Sequence, residues 1–233
     1  MTNQTQQSII LPLFPLNVVL FPGNILPLHI FEKRYRLMIR QCLKDESEFG
    51  VILIKIGSDV GGFAEPYNVG TAVRIIDSDV MEDGRINIMT AGQYRFQVQR
   101  ITSQDPYIKA LVDIIDPNFP PNPNRLQALV SRASELCEDY ENLLAKTVPN
   151  WQVSAKLPEI PFHLGYHIAT RLQITLIEKQ RLLEILSVDQ ILTKEIQILK
   201  YEIQRRQATL IAERQFKSIP ETEAPFWKKH SLN

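Results

Sequence analysis

His163 and His167, in PFHLGYH, stand one helical turn apart, the spacing at which two imidazoles on one helix face can share a metal ion. Leu164 occupies the place where a zinc hydrolase of that pattern carries its glutamate, so the pair reads as ordinary helix packing or solvent contact. Asp77, Asp79, Glu82 and Asp83 gather carboxylates. Met81 and Glu82, however, fall at the fifth and sixth places, where a calcium loop needs an oxygen ligand and a glycine, and a solvated hairpin end is expected. No serine lies in G-x-S-x-G or S-x-x-K, which leaves an activated serine nucleophile without support. There is no G-x-x-x-x-G-K-[ST], and the one Gly-Gly pair, Gly61-Gly62, is followed by Phe63 with no phosphate-binding lysine nearby. His29 sits inside an expected strand and reads as structural. These residues imply no catalytic centre, no metal site and no cofactor.

The elements that would position any binding surface come next. The 233 residues suffice for one large or two modest domains, and 44% apolar with 22% charged residues is the composition of a globular chain. Lysine plus arginine equals aspartate plus glutamate at 26 each, which removes the cationic field that nonspecific nucleic-acid or anionic-membrane binding requires. Cys42 and Cys137 are too few for a disulfide framework and lie in apolar helical contexts, so free thiols in a reducing cytosol are expected. The start, MTNQTQQS, carries no basic residue ahead of its apolar run, and prolines cut that run short of a membrane span; neither signal peptide nor anchor is expected.

Ser8 to Phe14 is β-prone with Pro12 inside it, and a residue that cannot donate to a ladder places the segment at a sheet edge. Pro22-Gly23 suits a tight turn, and Ile25 to Ile30 forms a second short strand. From Phe31 to Leu43 the period becomes helical, with Phe31, Tyr35, Met38 or Ile39 and Cys42 on one face. Phe49 to Ile56 reads as a strand and Gly57 to Pro66 as a flexible loop, a natural lid. Val69 to Val80 and Arg85 to Thr90 flank the hairpin signal Asp83-Gly84, and Tyr94 to Val98 and Tyr107 to Ile115 add strands. Short strands so spaced suggest a barrel or a folded-over sheet.

Composition then shifts. DPNFPPNPN, Asp116 to Asn124, is a stiff connector in which Asn122 can cap a helix with Pro123 at its first position. Helical patterns follow over Leu157 to Thr170, Leu176 to Leu186 and Val188 to about Phe216, giving about four helices in all. The fold class is thus α+β: a β-rich domain over 1–117 with a short helix, an α-helical subdomain over 118–217 ending in a long helix, and a tail over 218–233. In that last helix Leu192, Ile196, Leu199, Ile203 and Leu210 approach a heptad seam broken by Arg206, while Lys194, Glu195, Lys200, Glu202 and Arg205 decorate other faces. The seam can pack on the chain's own helices or support self-association.

The ordered series LPLFPL (Leu11 to Leu16), VLFPG (Val19 to Gly23), LPL (Leu26 to Leu28), VGT (Val69 to Thr71), Asp83-Gly84, and Gly92 with Arg95 resembles the N-terminal substrate-recognition domain of Lon proteases. The likeness runs from about Ser8 to Asp116, and LIEKQRLLEILSVDQILTKEIQILKYEI is similar to the helical region that follows in that family. The resemblance implies a PUA-like β pseudo-barrel, also found in cereblon, with helices behind it. The family's ATPase and serine-lysine protease modules have no counterpart in these residues, so a stand-alone, non-catalytic member is expected. What it implies is a polypeptide-binding or adaptor module of protein quality control, cytoplasmic, capturing unfolded or partly unfolded polypeptides, with a separate ATP-dependent protease as a further partner. Most of the opening stretch is expected to be core. Phe14, Phe21, Pro22, Ile30, Phe31 and Tyr35 are the candidates for an exposed apolar groove that would hold a client beside a strand edge. RNA binding by a PUA-like fold, and a small-molecule site closed by the 57–66 loop, are the alternatives; the charge balance disfavours the first.

Overall fold

The structure, a computed structural model, describes residues 8–58, 64–120 and 122–217, with side chains as far as 212. In chain order the elements are β1 (Ser8–Leu16), β2 (Ile25–Ile30), α1 (Lys33–Asp45), β3 (Phe49–Gly57), β4 (Ala64–Pro66), β5 (Val69–Val80), β6 (Ile86–Ser103), β7 (Lys109–Ile115), α2 (Pro123–Thr147), α3 (Pro161–Arg171), α4 (Leu176–Glu184) and α5 (Val188–Lys217). β1, β7, β6, β5 and β3 pair in that order, and β1 then pairs in parallel with β3, Leu13 opposite Gly50 through Leu16 opposite Leu53. That last pairing closes a ring, so most ladder groups find partners around a barrel. β1 is therefore not an edge strand; Pro12 is tolerated because its pairing with β7 ends there, at Lys109.

β3 shows why an unbroken apolar run is needed. Ile52 points into the barrel with Leu13, Ala72, Phe96 and Val112, whereas Phe49 and Val51 point outward to Met38 and Ile39 of α1. Both faces are covered, so both are apolar. The expected hairpin joins β5 to β6 through residues 81–85, with the Met81 N–H donating to Arg85 O at 2.9 Å. Of the expected 57–66 loop, Ala64–Pro66 is strand paired with β3, and residues 59–63 lie outside the described residues, as does the 218–233 tail.

In the helical half the Asn122 side chain accepts from the Arg125 N–H, with Pro123 in the first turn of α2 as expected. Thr175 and Glu178 close a reciprocal capping box on α4. Leu192 and Leu199 are buried in the chain's own helical core, with Ile196 and Ile203 packed against it, so this part of the seam is spent inside the molecule.

The two halves share one core. Phe21 and Val69, from the barrel side, belong to the helical cluster of Leu136, Tyr140, Leu164 and Leu199. Phe21 opens a turn in which the Asn24 N–H donates to Phe21 O at 3.2 Å and Gly23 takes φ +83, a value that favours glycine. Gly92 lies against this turn: a Cβ there would meet Phe21 O at 2.9 Å and Pro22 Cα at 3.2 Å. Arg95, 2% exposed, reaches out of β6 and donates through Nη1 to Leu183 O at 2.9 Å and to Ile185 O, with its guanidinium 5.6 Å from the Tyr166 ring centre. Gln180 Nε2 donates to Val69 O at 3.0 Å, and Asn24 Nδ2 to Thr170 Oγ1 at 2.8 Å.

Replacing Arg95 with alanine leaves the last carbonyls of α4 buried without a donor; a loss of about 2–4 kcal/mol is expected in urea unfolding, with lysine, which lacks the fork, rescuing only part. A fragment ending at Asp116 is expected to keep a strand-dominated circular dichroism spectrum with a lowered melting temperature, because Phe21 and Val69 lose their cover. A helix-dominated spectrum would overturn the division of the chain near residue 117.

Candidate functional site

The six residues expected to line a groove separate into two places. Phe14, Ile30 and Tyr35 are buried, at 6%, 1% and 5% exposure, and only Phe31 is open, at 46%. These four surround a small cavity of about 100 Å³ with Leu16, Leu28, His29 and Glu32. Its walls are packed aromatic rings: those of Phe14 and Tyr35 lie 4.1 Å apart, and that of Phe49 lies 6.4 Å from Phe14. Burial raises the Tyr35 pKa, ahead of the opposing effect of Arg34, so the phenol stays protonated. His29 stacks on Phe31 at 6.2 Å and its Nδ1 lies 2.7 Å from Asn87 Oδ1, which holds the ring on the face of β2. β2 itself pairs only with β6; among the described residues no strand covers its other edge.

Phe21 and Pro22 are elsewhere, and the expectation that they are exposed groove residues is corrected. Phe21 is 1% exposed with its ring 6.0 Å from Tyr166, because the turn it opens is driven into the helical core. Pro22, also buried, borders a cleft of about 670 Å³ between that turn and the segment before α3, shared with Asn24, Leu157, Ile160, His163 and His167.

His167 does meet other ligand-type atoms, though His163 is not its partner. Cys137, Glu141 and His167 bring a thiol, a carboxylate oxygen and a ring nitrogen within 4.8 Å of one another. Glu141 is already satisfied: it accepts from Arg171 Nε at 2.6 Å, from the Ser154 N–H at 2.6 Å and from Ser154 Oγ at 3.0 Å. Burial pushes its pKa up, but these donors outweigh burial and leave it below the ordinary value. The Cys137 thiol is pushed up to about 12, by burial first and then by Glu141. Burial likewise lowers His167, and Arg171 adds to this against the attraction of Glu141. A protonated thiol and a carboxylate engaged by a guanidinium make a polar staple between α2 and α3.

Glu195 is the group that the helical pattern misplaced. Expected on an outer face, it is fully buried, because α5 is covered by both α2 and α3 there; neither oxygen has a well-formed hydrogen bond among the described residues, and only the Ala169 backbone amide is near enough to act on it weakly. Its Oε2 lies 3.5 Å from where a Gly165 Cβ would stand. Glu202, likewise expected outside, is 5% exposed and paired with Arg205 at 2.7 Å.

Comparison with known proteins now bears on this geometry. The profile of the ATP-dependent protease La (LON) substrate-binding domain matches residues 10–201. The chain belongs to the Lon substrate-binding domain family. The Lon protease of Anaeromyxobacter dehalogenans (strain 2CP-C) is 26% identical over 184 residues, 78% of this chain and 22% of that protein. The Lon protease of Rhizobium meliloti (strain 1021) is 28% identical over 208 residues, 87% and 26% respectively. The chain thus spans about a quarter of the length of these curated relatives. A Lon N-terminal domain protein from Xanthomonas campestris has a similar solved structure, with TM-score 0.57, 28% identity, and coverage of 80% of this chain and 96% of that one. The N-terminal domain of a Mycobacterium avium complex Lon protease shares the fold, with TM-score 0.57, 16% identity, and coverage of 82% and 98%.

Within this Lon-domain fold, the motif residues Phe21, Val69, Gly92 and Arg95 cluster at the joint between the halves. The spacing of Gly92 and Arg95 was visible in the sequence; the buried partners that explain it were not. No signal in the sequence marks Glu195 or Glu141 as buried, since both stand among charged residues.

Glu195 carries a prediction of sign. Burial raises its folded pKa well above the ordinary 4.5, with the Ala169 amide opposing only in part. A raised folded pKa means stability that is full below the unfolded value and lost as pH rises above it. Glu195→Gln, neutral throughout, is therefore expected to raise the melting temperature at pH 7–8, with the gain shrinking toward pH 4.5; melting curves across that range check it.

Proposed function

We infer that this chain is a non-catalytic polypeptide-binding or adaptor module of protein quality control, cytoplasmic, which captures unfolded or partly unfolded polypeptides through the free edge of β2 and the exposed Phe31. The observation that carries the reading is the juxtaposition of the two. A half-exposed aromatic lines a small, largely apolar cavity, beside a strand that pairs with one other strand among the described residues. An extended segment can add to such an edge through its backbone, which is tolerant of sequence, while one apolar side chain contacts Phe31 and the cavity formed by Phe14, Ile30 and Tyr35. Pro27 cannot donate along this edge, so pairing would run on either side of it. Membership of a substrate-binding family supports a polypeptide as the ligand. A separate ATP-dependent protease is the partner that would receive what this module holds.

No reacting group is required of the chain in this role. Purified protein is expected neither to hydrolyse ATP nor to cleave casein. Phe31→Ser should weaken binding of an unfolded apolar peptide about tenfold in fluorescence anisotropy, with the melting temperature nearly unchanged, since an interface aromatic outside the core is removed. Phe14→Ser should instead cost about 3–5 kcal/mol of stability. Stable Phe31 variants that bind as the parent does would place the site elsewhere.

A further inference from the structure

α4 and α5 leave a second surface, on the helical half. A groove between them encloses about 550 Å³ over Leu182, Ile185 and Ile198. It continues past Ile198 to Tyr201, 65% exposed, in an adjoining hollow of about 540 Å³. From Asp189 to Arg205 the axis of α5 advances about 24 Å, the length of about seven extended residues.

Its charges are not balanced in their pairing. Each acid along the groove is already engaged by the chain. Glu178 accepts from the Thr175 N–H at 3.0 Å and Oγ1 at 2.7 Å; Asp189 accepts from Ser187 Oγ and lies 3.8 Å from Arg125; Glu202 holds Arg205 at 2.7 Å. Arg181 on the α4 wall and Lys194 on the α5 wall, both exposed, have no hydrogen bond or ion pair among the described residues and lie only within electrostatic range of Glu178. Two cations, neither with a hydrogen bond of its own, thus line the same groove and share only the field of Glu178, which Thr175 already engages.

We propose that the α4–α5 groove is a second docking site for polypeptide, selective for a short extended segment that carries apolar side chains flanked by carboxylates. The carboxylates meet Arg181 and Lys194, and the apolar side chains cover Ile185, Ile198 and Tyr201. It shares with the preceding reading only the class of ligand; the surface, the half of the molecule and the charge preference are different.

The test uses the full chain and three labelled synthetic heptapeptides with one apolar centre, flanked by glutamates, by lysines or by serines. The glutamate peptide should bind at least tenfold more tightly than the lysine peptide, and this preference should fade with added salt. Arg181→Glu with Lys194→Glu should invert the order, and Arg181→Gln with Lys194→Gln should abolish it. Phe31→Ser should leave it intact. The proposal is overturned if the glutamate and lysine peptides bind the parent equally, if the folded double variants keep the parent's preference, or if Phe31→Ser removes it. Loss of serine-peptide binding in Phe31→Ser, set beside the parent, reads the β2 edge separately, so that site stands or falls on its own.

Discussion

Arg95 places a positive charge where almost no water reaches, between a barrel strand and the last turn of α4. A helix ends with carbonyls that lack intrahelical donors and carry the negative end of its dipole, and when that end is buried something must answer them. Here the donor comes from the other half of the molecule. The same contact orients Tyr166, whose ring packs on Phe21, and Phe21 can approach only because Gly92 has no side chain. The barrel and the helices are therefore held in one arrangement by groups that are costly to leave unpaired.

This joint decides which surfaces remain available. With Phe21 and Val69 consumed by the shared core, Phe31 is the one exposed member of the six groove candidates, and it stands beside the free edge of β2. With α2 and α3 covering one side of α5, its other side and α4 frame the groove of Arg181 and Lys194. The two surfaces sit on different halves of the molecule and differ in chemistry: one offers backbone pairing and an aromatic, the other apolar floor and charge.

The buried carboxylates show the opposite economy. Glu141 is answered by Arg171 and Ser154 and fastens the segment before α3 to α2. Glu195, in the same bundle, is answered by almost nothing, and burial raises its pKa well above the ordinary carboxylate value. Burial without donors raises the pKa of Glu195, whereas the donors around Glu141 lower its pKa, so replacing Glu195 by a neutral group removes a cost rather than a contact.

The sequence by itself determined the α+β class, the order of elements and the Lon-domain membership, because period, turn residues and caps act locally: Asn122 and Pro123 start α2, and Pro22-Gly23 makes its turn wherever the rest of the chain goes. It also marked Gly92 and Arg95 as a pair. Only the tertiary structure decided what those residues do, since a buried guanidinium is explained by two carbonyls 88 and 90 positions away. It likewise decided that β1 closes a ring instead of forming an edge, that Phe14, Ile30 and Tyr35 are walls while Phe31 is open, and that Glu195 lies inside. Burial on a helix or strand depends on how many neighbours cover it, and that number is set by packing between segments far apart in the chain, which no local pattern encodes.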